Sequence, residues 1–180
     1  LRGNTLTSTT LWGWGGYDTF VSFSQADAVD GGSGTDTIDY SGSLAGVTVR
    51  LDGTASSGGD AAGDTILNVE HVIGSGLDDT IIGTGVNETL EGGAGDDTLV
   101  GGSGADTLDG GAGFDTADYS SSGGISVRMD GLAGTAGDAN GDILLNIEKV
   151  IGSSLADIII GSANADTIVG GSGDDIISPG

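Results

Sequence analysis

The chain has 180 residues, of which 27 are acidic and 4 are Lys or Arg, so its net charge is −23. Glycine fills 38 positions, about three times the share of roughly 7% that is usual in proteins. Four dispersed cations cannot neutralise a phosphate backbone, so we expect no nucleic-acid partner. No apolar run approaches the roughly 20 residues of a spanning helix, so we expect no membrane insertion. Without cysteine, disulfides and thiolate zinc sites are excluded.

A nine-residue repeat runs through most of the chain. Residues 92–118 read GGAGDDTLV, GGSGADTLD and GGAGFDTAD without a gap. In each copy the sixth residue is a carboxylate and the eighth is apolar, while glycines at the first, second and fourth positions suit tight loops. One apolar residue in nine, flanked by Thr, Ile or Val, predicts a strand of about three residues. The pattern therefore predicts an all-β solenoid. The frame covers the runs 13–39, 65–118 and 143–178, with looser copies at 13–21 and 22–30.

A longer repeat overlies the first, since residues 40–74 match residues 119–152 with one deletion. Alternating apolar residues in both segments predict a half-buried strand. We therefore interpret 40–64 and 119–142 as wider turns of a single elongated module spanning 1–180. The corresponding pairs are Tyr40 and Tyr119, Arg50 and Arg128, Asp60 and Asp138, Asp64 and Asp142, and Glu70 and Glu148.

The sixth-position carboxylates are predicted to form columns. If two repeats make one turn, residues 18 apart stack on neighbouring parallel strands about 4.8 Å apart. Two carboxylates at about 5 Å repel by roughly 3 kcal/mol at an effective dielectric near 20, so the columns require cations. The predicted columns are Asp18 over Asp36; Asp79, Asp97 and Asp115; Glu70, Glu88 and Asp106; Glu148 over Asp166; and Asp157 over Asp175.

Calcium fits these oxygen donors best. Calcium–oxygen distances of about 2.3–2.6 Å allow an ion between stacked loops, with loop carbonyl groups completing its shell. Magnesium gives up its waters reluctantly, and zinc or copper would need more nitrogen or sulfur ligands than one histidine supplies. Roughly six to ten calcium ions would neutralise most of the net charge.

The predicted metal-site residues are therefore carboxylates and loop glycines. The carboxylates are Asp18, Asp36, Asp79, Glu88, Asp97, Asp106, Asp115, Asp157, Asp166 and Asp175. The glycines are Gly31, Gly32, Gly34, Gly92, Gly93, Gly95, Gly101, Gly102, Gly104, Gly110, Gly111, Gly113, Gly170, Gly171 and Gly173. Weaker candidates are Asp27, Asp60, Asp64, Glu70, Asp138, Asp142 and Glu148.

The motif GGxGxDxUx resembles the RTX, or hemolysin-type, calcium-binding repeats. The resemblance implies a right-handed parallel β-roll with rows of calcium ions between its loops. It also implies a secreted bacterial protein, exported by a type I system and folded by extracellular calcium. The two inserts look similar to regions of serralysin-type proteases, alginate-epimerase accessory modules and RTX adhesins. The strict motif occurs at 31–39, 92–100, 101–109, 110–118 and 170–178.

Departures from the motif predict weaker or empty sites. Asp27 has Ala45 eighteen residues later, Glu88 replaces Asp, and Leu77 and Leu155 take a usual glycine position. At the N-terminus an aromatic group is expected to cap the open end of the solenoid, to dock a neighbouring domain or to stack on a glycan. It comprises Trp12, Trp14, Tyr17, Phe20 and Phe23.

No catalytic constellation is recognisable. His71 is the only histidine, and Lys149 takes its place in the second long repeat, so we expect this segment to be non-enzymatic. We also expect it to be a monomer. Because the chain starts at Leu1 without Met, we expect a piece of a longer protein. The parent is expected to be a secreted enzyme that uses the segment for secretion, stability or polysaccharide binding. Alternatively it is an adhesin or surface-layer protein that uses the segment as an extender.

Overall fold

The computed structural model describes residues 8–21 and 25–180. These residues form short strands and two 3-10 turns, Gly59–Ala61 and Gly137–Ala139, but no α-helix. The strands are β1 (Thr10–Trp12), β2 (Gly15–Gly16), β3 (Thr19–Val21), β4 (Ala28–Asp30), β5 (Ser33–Gly34), β6 (Thr37–Asp39), β7 (Thr48–Arg50), β8 (Thr65–Leu67), β9 (His71–Ile73), β10 (Thr80–Ile82), β11 (Thr89–Ala94), β12 (Thr98–Val100), β13 (Thr107–Ala112), β14 (Thr116–Asp118), β15 (Ser126–Arg128), β16 (Ile143–Leu145), β17 (Lys149–Ile151), β18 (Ile158–Ile160), β19 (Thr167–Val169) and β20 (Ile176–Ser178).

The strands stack in parallel sheets. Sheet I has the order β1-β4-β8, sheet II β3-β6-β9-β11-β13-β16, sheet III β7-β10-β12-β14-β17-β19 and sheet IV β15-β18-β20, while β2 pairs with β5. Within a repeat run the paired residues are 18 apart, as in Thr80 with Thr98 and Thr89 with Thr107. Successive strands alternate between two sheets, so two repeats make one coil. The predicted all-β parallel roll is confirmed.

The core is built largely from the eighth residues of the repeats, together with apolar residues of the inserts such as Val49 and Val127. Ile81, Leu90, Leu99 and Leu108 are fully buried, and the residues on either side of them are half-buried. Successive side chains of a strand point to opposite faces, so a three-residue strand places one side chain in the core. The glycine loops that join the strands therefore stack at the edges of the roll, one above the next.

Each insert exchanges one sheet of the roll for another. The insert 40–64 carries β7, which begins sheet III, and β8 directly after it ends sheet I. In the same way 119–142 carries β15, which begins sheet IV, before β16 ends sheet II. The chain therefore alternates between sheets I and II, then between II and III, and finally between III and IV.

The constant spacing of 18 residues is wrong at the inserts. It places Ala45 beside Asp27, whereas Ala28 pairs with Thr65 and the Asp27 backbone N–H donates to Asp64 Oδ1 at 2.7 Å. The cause is the insert itself, which leaves the coil after β6 and returns at β8. Two strands, β11 and β13, are also longer than predicted because the pairing of the strands continues into their glycine loops, where Gly93 pairs with Gly111.

The N-terminal aromatic residues divide by burial. Phe20 is fully buried, whereas Trp12, Trp14 and Tyr17 are exposed. The rings of Trp12 and Trp14 are 6.1 Å apart and tilted by 31°. Phe23, with the rest of 22–24 in the second looser repeat, lies outside the described residues. Across 8–21 and 25–180 there is no helix with the length and apolar character of a membrane span.

Candidate metal centre

The sixth-position carboxylates form one column beside each of the four sheets, because each of them directly precedes a strand. Their columns agree with the strand pairing, and the structure extends them across the inserts, where Asp36 meets Glu70 and Asp115 meets Glu148. Sheet II carries Asp18, Asp36, Glu70, Glu88, Asp106 and Asp142; sheet III carries Asp79, Asp97, Asp115, Glu148 and Asp166; sheet IV carries Asp157 and Asp175; sheet I carries Asp27 and Asp64.

One oxygen of most stacked carboxylates binds the preceding coil, whereas Glu88 and Asp166 accept only from their own loops. The backbone N–H of Asp79 donates to Asp97 Oδ1 at 2.8 Å, and that of Asp97 donates to Asp115 Oδ1 at 2.8 Å. Equivalent bonds join Asp18 to Asp36, Glu88 to Asp106 and Asp157 to Asp175. We call this series of bonds the ladder and the carboxylates of the columns the ladder carboxylates. The ladder holds the bonded carboxylates in a fixed orientation and aims their second oxygens into the loop.

In four of the glycine loops this second oxygen is buried and meets no hydrogen-bond donor among the described residues. These atoms are Oδ2 of Asp36, Asp97, Asp106 and Asp115, and the parent residues are at most 1% exposed. Oε2 of Glu88 is in the same situation. Burying a carboxylate oxygen without a partner costs on the order of 1–3 kcal/mol or more. Such atoms call for a cation, and the predicted site residues supply them.

The loop glycines leave room around these oxygens. A Cβ on Gly92, the first residue of its repeat, would lie 2.3 Å from Asp97 Oδ2 and 2.7 Å from the Gly110 carbonyl oxygen of the next coil. Gly31, Gly101 and Gly170 stand in the same relation to the carboxylates of their own repeats, with Cβ distances of 2.7, 2.5 and 2.4 Å to Oδ2. In the loops of Gly31 and Gly92 a carboxylate oxygen and a carbonyl oxygen of another coil thus lie around one point, and these are the donors that calcium prefers.

The second and fourth glycines serve the backbone of the loop. Gly93 has φ +114° and Gly95 has φ +115°, in the region that side chains rarely adopt. The second and fourth glycines of the other strict loops also have positive φ. They are Gly32, Gly34, Gly102, Gly104, Gly111, Gly113, Gly171 and Gly173.

Burial makes these carboxyl groups reluctant to ionise. Loss of water contact raises the pKa of Asp97 to about 7, and the charges of Asp79 and Asp115 add to it, although the Asp79 backbone hydrogen bond opposes the rise. Burial likewise raises the pKa of Glu88 to about 7 and raises the pKa of Asp106 and of Asp115. The protein alone therefore stabilises the charged column poorly, and a cation or a proton would relieve it.

The insert carboxylates are placed differently from the strict loops. Asp142 is fully buried, and it accepts from the Asp106 backbone N–H through Oδ1 and from the Tyr119 hydroxyl through Oδ2, at 2.9 and 2.8 Å. Burial raises its pKa to about 6. In the first insert Asp64 binds the Tyr40 hydroxyl in the same way, at 2.7 Å. Protein donors thus occupy both oxygens of Asp142, and the ladder ends on a tyrosine.

The other weaker candidates lie near the columns rather than in strict loops. Asp60 and Asp138 are on the two 3-10 turns, where their backbone N–H groups donate to Ser43 and Ser122. Glu70 and Glu148 continue the columns through Oε2.

Sequence reasoning missed the hydroxyl groups that contact the ladder. Ser153 donates from its backbone N–H to Asp157 Oδ2 at 2.7 Å and from its hydroxyl to Asp157 Oδ1 at 2.8 Å. Ser75 and Ser162 bind Asp79 and Asp166 in the same way. The available signal was the hydroxyl residue that replaces glycine at the second position of these repeats.

The side chains alone do not make a metal centre. Among the residues that the structure describes, no three Asp, Glu, His or Cys side chains gather around one point. Beside Asp36 and Asp97 the first glycine of the loop also lies close to a backbone carbonyl oxygen of another coil, so an ion there would take much of its coordination from the main chain. Soft-ligand metals have little to bind at such a point, whereas calcium accepts carbonyl oxygens readily.

The comparison with known families agrees with this geometry. A model of the family described as RTX calcium-binding nonapeptide repeat (4 copies) matches residues 8–38, 82–117 and 151–180, which together exceed half of the chain. No curated protein matches the chain. The matched segments contain the strict loops with their unpartnered carboxylate oxygens, and the chain belongs to the RTX calcium-binding nonapeptide repeat family.

Proposed function

We propose that this module folds when calcium reaches it outside the cell, and that it serves secretion, stability or accessory binding in a larger secreted bacterial protein. The observation that carries the proposal is the set of buried carboxylate oxygens without donors at Asp36, Asp97, Asp106 and Asp115. A fold that buries such atoms is disfavoured until a cation meets them.

Calcium binding and folding are energetically linked. Neighbouring ladder carboxylates repel by roughly 3 kcal/mol per pair at an effective dielectric near 20, and a divalent ion between them reverses the sign. An ion bound only by the folded chain stabilises it by mass action. Because calcium is scarce in the cytosol and abundant outside, the same chain is unfolded before export and folded after it. The carboxylates with unpartnered oxygens, Asp36, Asp97, Asp106 and Asp115, and the loop carbonyl groups would hold the ions.

The segment itself is proposed to be non-catalytic. Its only histidine, His71, is placed on the outer face of sheet II, with Nε2 at 3.0 Å from Glu91 Oε1 and Nδ1 at 3.3 Å from Thr37 Oγ1. Neither contact creates an activated nucleophile. Any enzymatic activity of the parent protein would then reside in another segment.

The exposed tryptophans favour one more specific role, the binding of a polysaccharide. Trp12 and Trp14 are 52% and 81% exposed, and their rings adjoin. Aromatic faces of this kind stack on the apolar faces of sugar rings. Isothermal titration calorimetry in calcium, with neutral and anionic polysaccharides, tests this role. Binding heat that disappears in Trp12→Ala/Trp14→Ala would support it, and the absence of binding heat with every polysaccharide in the wild type would contradict it.

The proposal on folding is tested by far-UV circular dichroism. At pH 8 the chain in chelator is expected to lack β structure and to gain it cooperatively as calcium rises through the millimolar range, whereas equal magnesium should have little effect. A chain that keeps the same β spectrum in chelator and in calcium would contradict calcium-dependent folding.

A further inference from the structure

The loops of the roll fall into two classes by their second and fourth residues. The Gly-Gly loops carry glycine at both positions, and they are 31–36, 92–97, 101–106, 110–115 and 170–175. The serine loops carry serine at the second position and Leu or Asn at the fourth, and they are 74–79, 152–157 and 161–166. In this chain the two substitutions always occur together.

The backbone differs between the classes. All second-position glycines of the Gly-Gly loops have positive φ, between +91° and +114°. Among the described residues, positive φ outside glycine is confined to Trp14, Asn68 and Asn146, so Ser75, Ser153 and Ser162 have ordinary negative φ. The serine loops therefore take a different path past the same ladder position.

The serine side chain builds that path. Ser75 Oγ accepts from the Leu77 backbone N–H at 3.1 Å, and Ser153 Oγ accepts from that of Leu155 at 3.0 Å. This side-chain turn takes the place of the left-handed glycine turn, so the fourth residue can carry a side chain. Leu77 and Leu155 are accordingly exposed on the loop surface.

The same serine satisfies the ladder carboxylate. Its backbone N–H and its hydroxyl donate to both oxygens of Asp157, and equivalent bonds reach Asp79. In the Gly-Gly loop one coil away, by contrast, Asp97 Oδ2 is buried without a donor. Asp79 and Asp97 are nearly equally buried, at 3% and 1%, so the difference is one of partners and not of exposure.

The loop 83–88 is intermediate between the two classes. Thr84 donates from its backbone N–H and its hydroxyl to Glu88 Oε1, while Glu88 Oε2 keeps no donor. With the longer glutamate side chain, one oxygen has donors and the other has none. This loop therefore belongs to neither class, and it is not used as a control.

We propose that serine at the second position takes the place of calcium: the serine loops close around their carboxylates without an ion, and the Gly-Gly loops bind calcium. This division rests on the proposed calcium-dependent folding. It sets the ion number by the Gly-Gly loops rather than by the net charge. It also places metal-independent loops at 74–79 and 152–157, each of which precedes the second strand of a new sheet, β10 in sheet III and β18 in sheet IV.

Bound calcium per chain, measured by equilibrium dialysis at saturating calcium chloride, tests the division. Asp97→Asn is expected to lower the count by at least one ion, whereas Asp79→Asn, from the same column, should leave it unchanged. Ser153→Ala removes only a hydroxyl and should also leave the count unchanged. The conversion Ser75→Gly/Leu77→Gly should add one ion, because it recreates a Gly-Gly loop. Circular dichroism in calcium confirms that each variant is folded.

Equal losses of calcium in Asp79→Asn and Asp97→Asn would overturn the division, as would a loss of one ion in Ser153→Ala. Either result would show that serine loops bind calcium like the others. A wild-type chain that binds no calcium at all would contradict the proposed function itself. The two failures are therefore distinguishable in a single set of measurements.

Discussion

At the scale of single residues, the two oxygens of a ladder carboxylate in a Gly-Gly loop have different surroundings. Oδ1 of Asp97 accepts the backbone N–H of Asp79, whereas its Oδ2 faces the loop interior and the Gly92 position. The first glycine of the repeat is thus required for space and not for an unusual backbone angle, because Gly92 has no positive φ.

Replacing this glycine should therefore destabilise the roll. In Gly92→Ala the added Cβ lies 2.3 Å from Asp97 Oδ2 and 2.7 Å from the Gly110 carbonyl oxygen, so the ladder must shift. Such overpacking costs about 1–3 kcal/mol. Urea unfolding in calcium measures it. The matched control is Gly76→Ala, whose Cβ meets nothing within 4 Å, and equal stability of the two variants would contradict the argument.

Tyrosine at the end of a column also has a measurable role. Tyr119→Phe removes the hydroxyl that binds Asp142 Oδ2, and it leaves a buried carboxylate oxygen without a donor. The expected loss in unfolding free energy is about 1–3 kcal/mol, again from urea unfolding in calcium. Tyr17→Phe, at a position that is 88% exposed, is expected to change nothing. A neutral Tyr119→Phe would mean that the hydroxyl does not stabilise the column.

At the scale of elements, each strand is too short to be stable by itself. Most three-residue strands contribute one buried side chain, and the columns hold because the strands pair with their equivalents in the next coil. Stability in such a solenoid is approximately a sum over neighbouring coils.

A cavity in one coil should therefore weaken the whole stack. Leu99→Ala is expected to lower the unfolding free energy by about 2–5 kcal/mol, since Leu99 is fully buried between Ile81 and Ala117 in sheet III. Thermal unfolding in calcium measures the change. Leu77→Ala, on an exposed loop, should stay within about 0.5 kcal/mol of the wild type. A tolerated Leu99→Ala would contradict a close-packed core column.

Much of the arrangement of the strands follows from the sequence alone. The nine-residue frame predicts the strands, the core residue of each and the columns of carboxylates within a run, because stacking repeats a local pattern. The path of the inserts does not follow from that pattern. The pairing of Asp27 with Asp64 depends on where the chain re-enters the coil after β7, and no local periodicity encodes it. The bonds from Ser75 and Tyr119 were likewise hidden, because each joins residues whose contact depends on the folded loop.

At the scale of the whole molecule, more than half of the 27 acidic residues stand in the columns, and most of these are buried. Both protons and calcium would relieve these columns, so the two should compete. This competition sets how the module responds to pH with and without the metal.

In chelator, acidification should favour the fold. Because the pKa of Asp97 and of Glu88 is raised to about 7, the folded chain holds more protons than the unfolded chain between about pH 4 and pH 7. The stability that these groups contribute is fully present below about pH 4 and is lost as the pH rises through 7. Circular dichroism in chelator should show more β structure at pH 5 than at pH 8. The control Asp97→Asn should show a smaller difference, and more β structure at pH 8 would contradict the account.

If the unpartnered carboxylate oxygens of the Gly-Gly loops mark the calcium ions, a long-wavelength anomalous difference map from crystals of the chain grown in calcium chloride will locate the ions there. We expect calcium peaks beside Oδ2 of Asp36, Asp97, Asp106 and Asp115 and in the equivalent loop of Asp175, and none beside Asp79, Asp157 or Asp166. A calcium-saturated crystal without peaks beside Asp97 and Asp115 would contradict this placement.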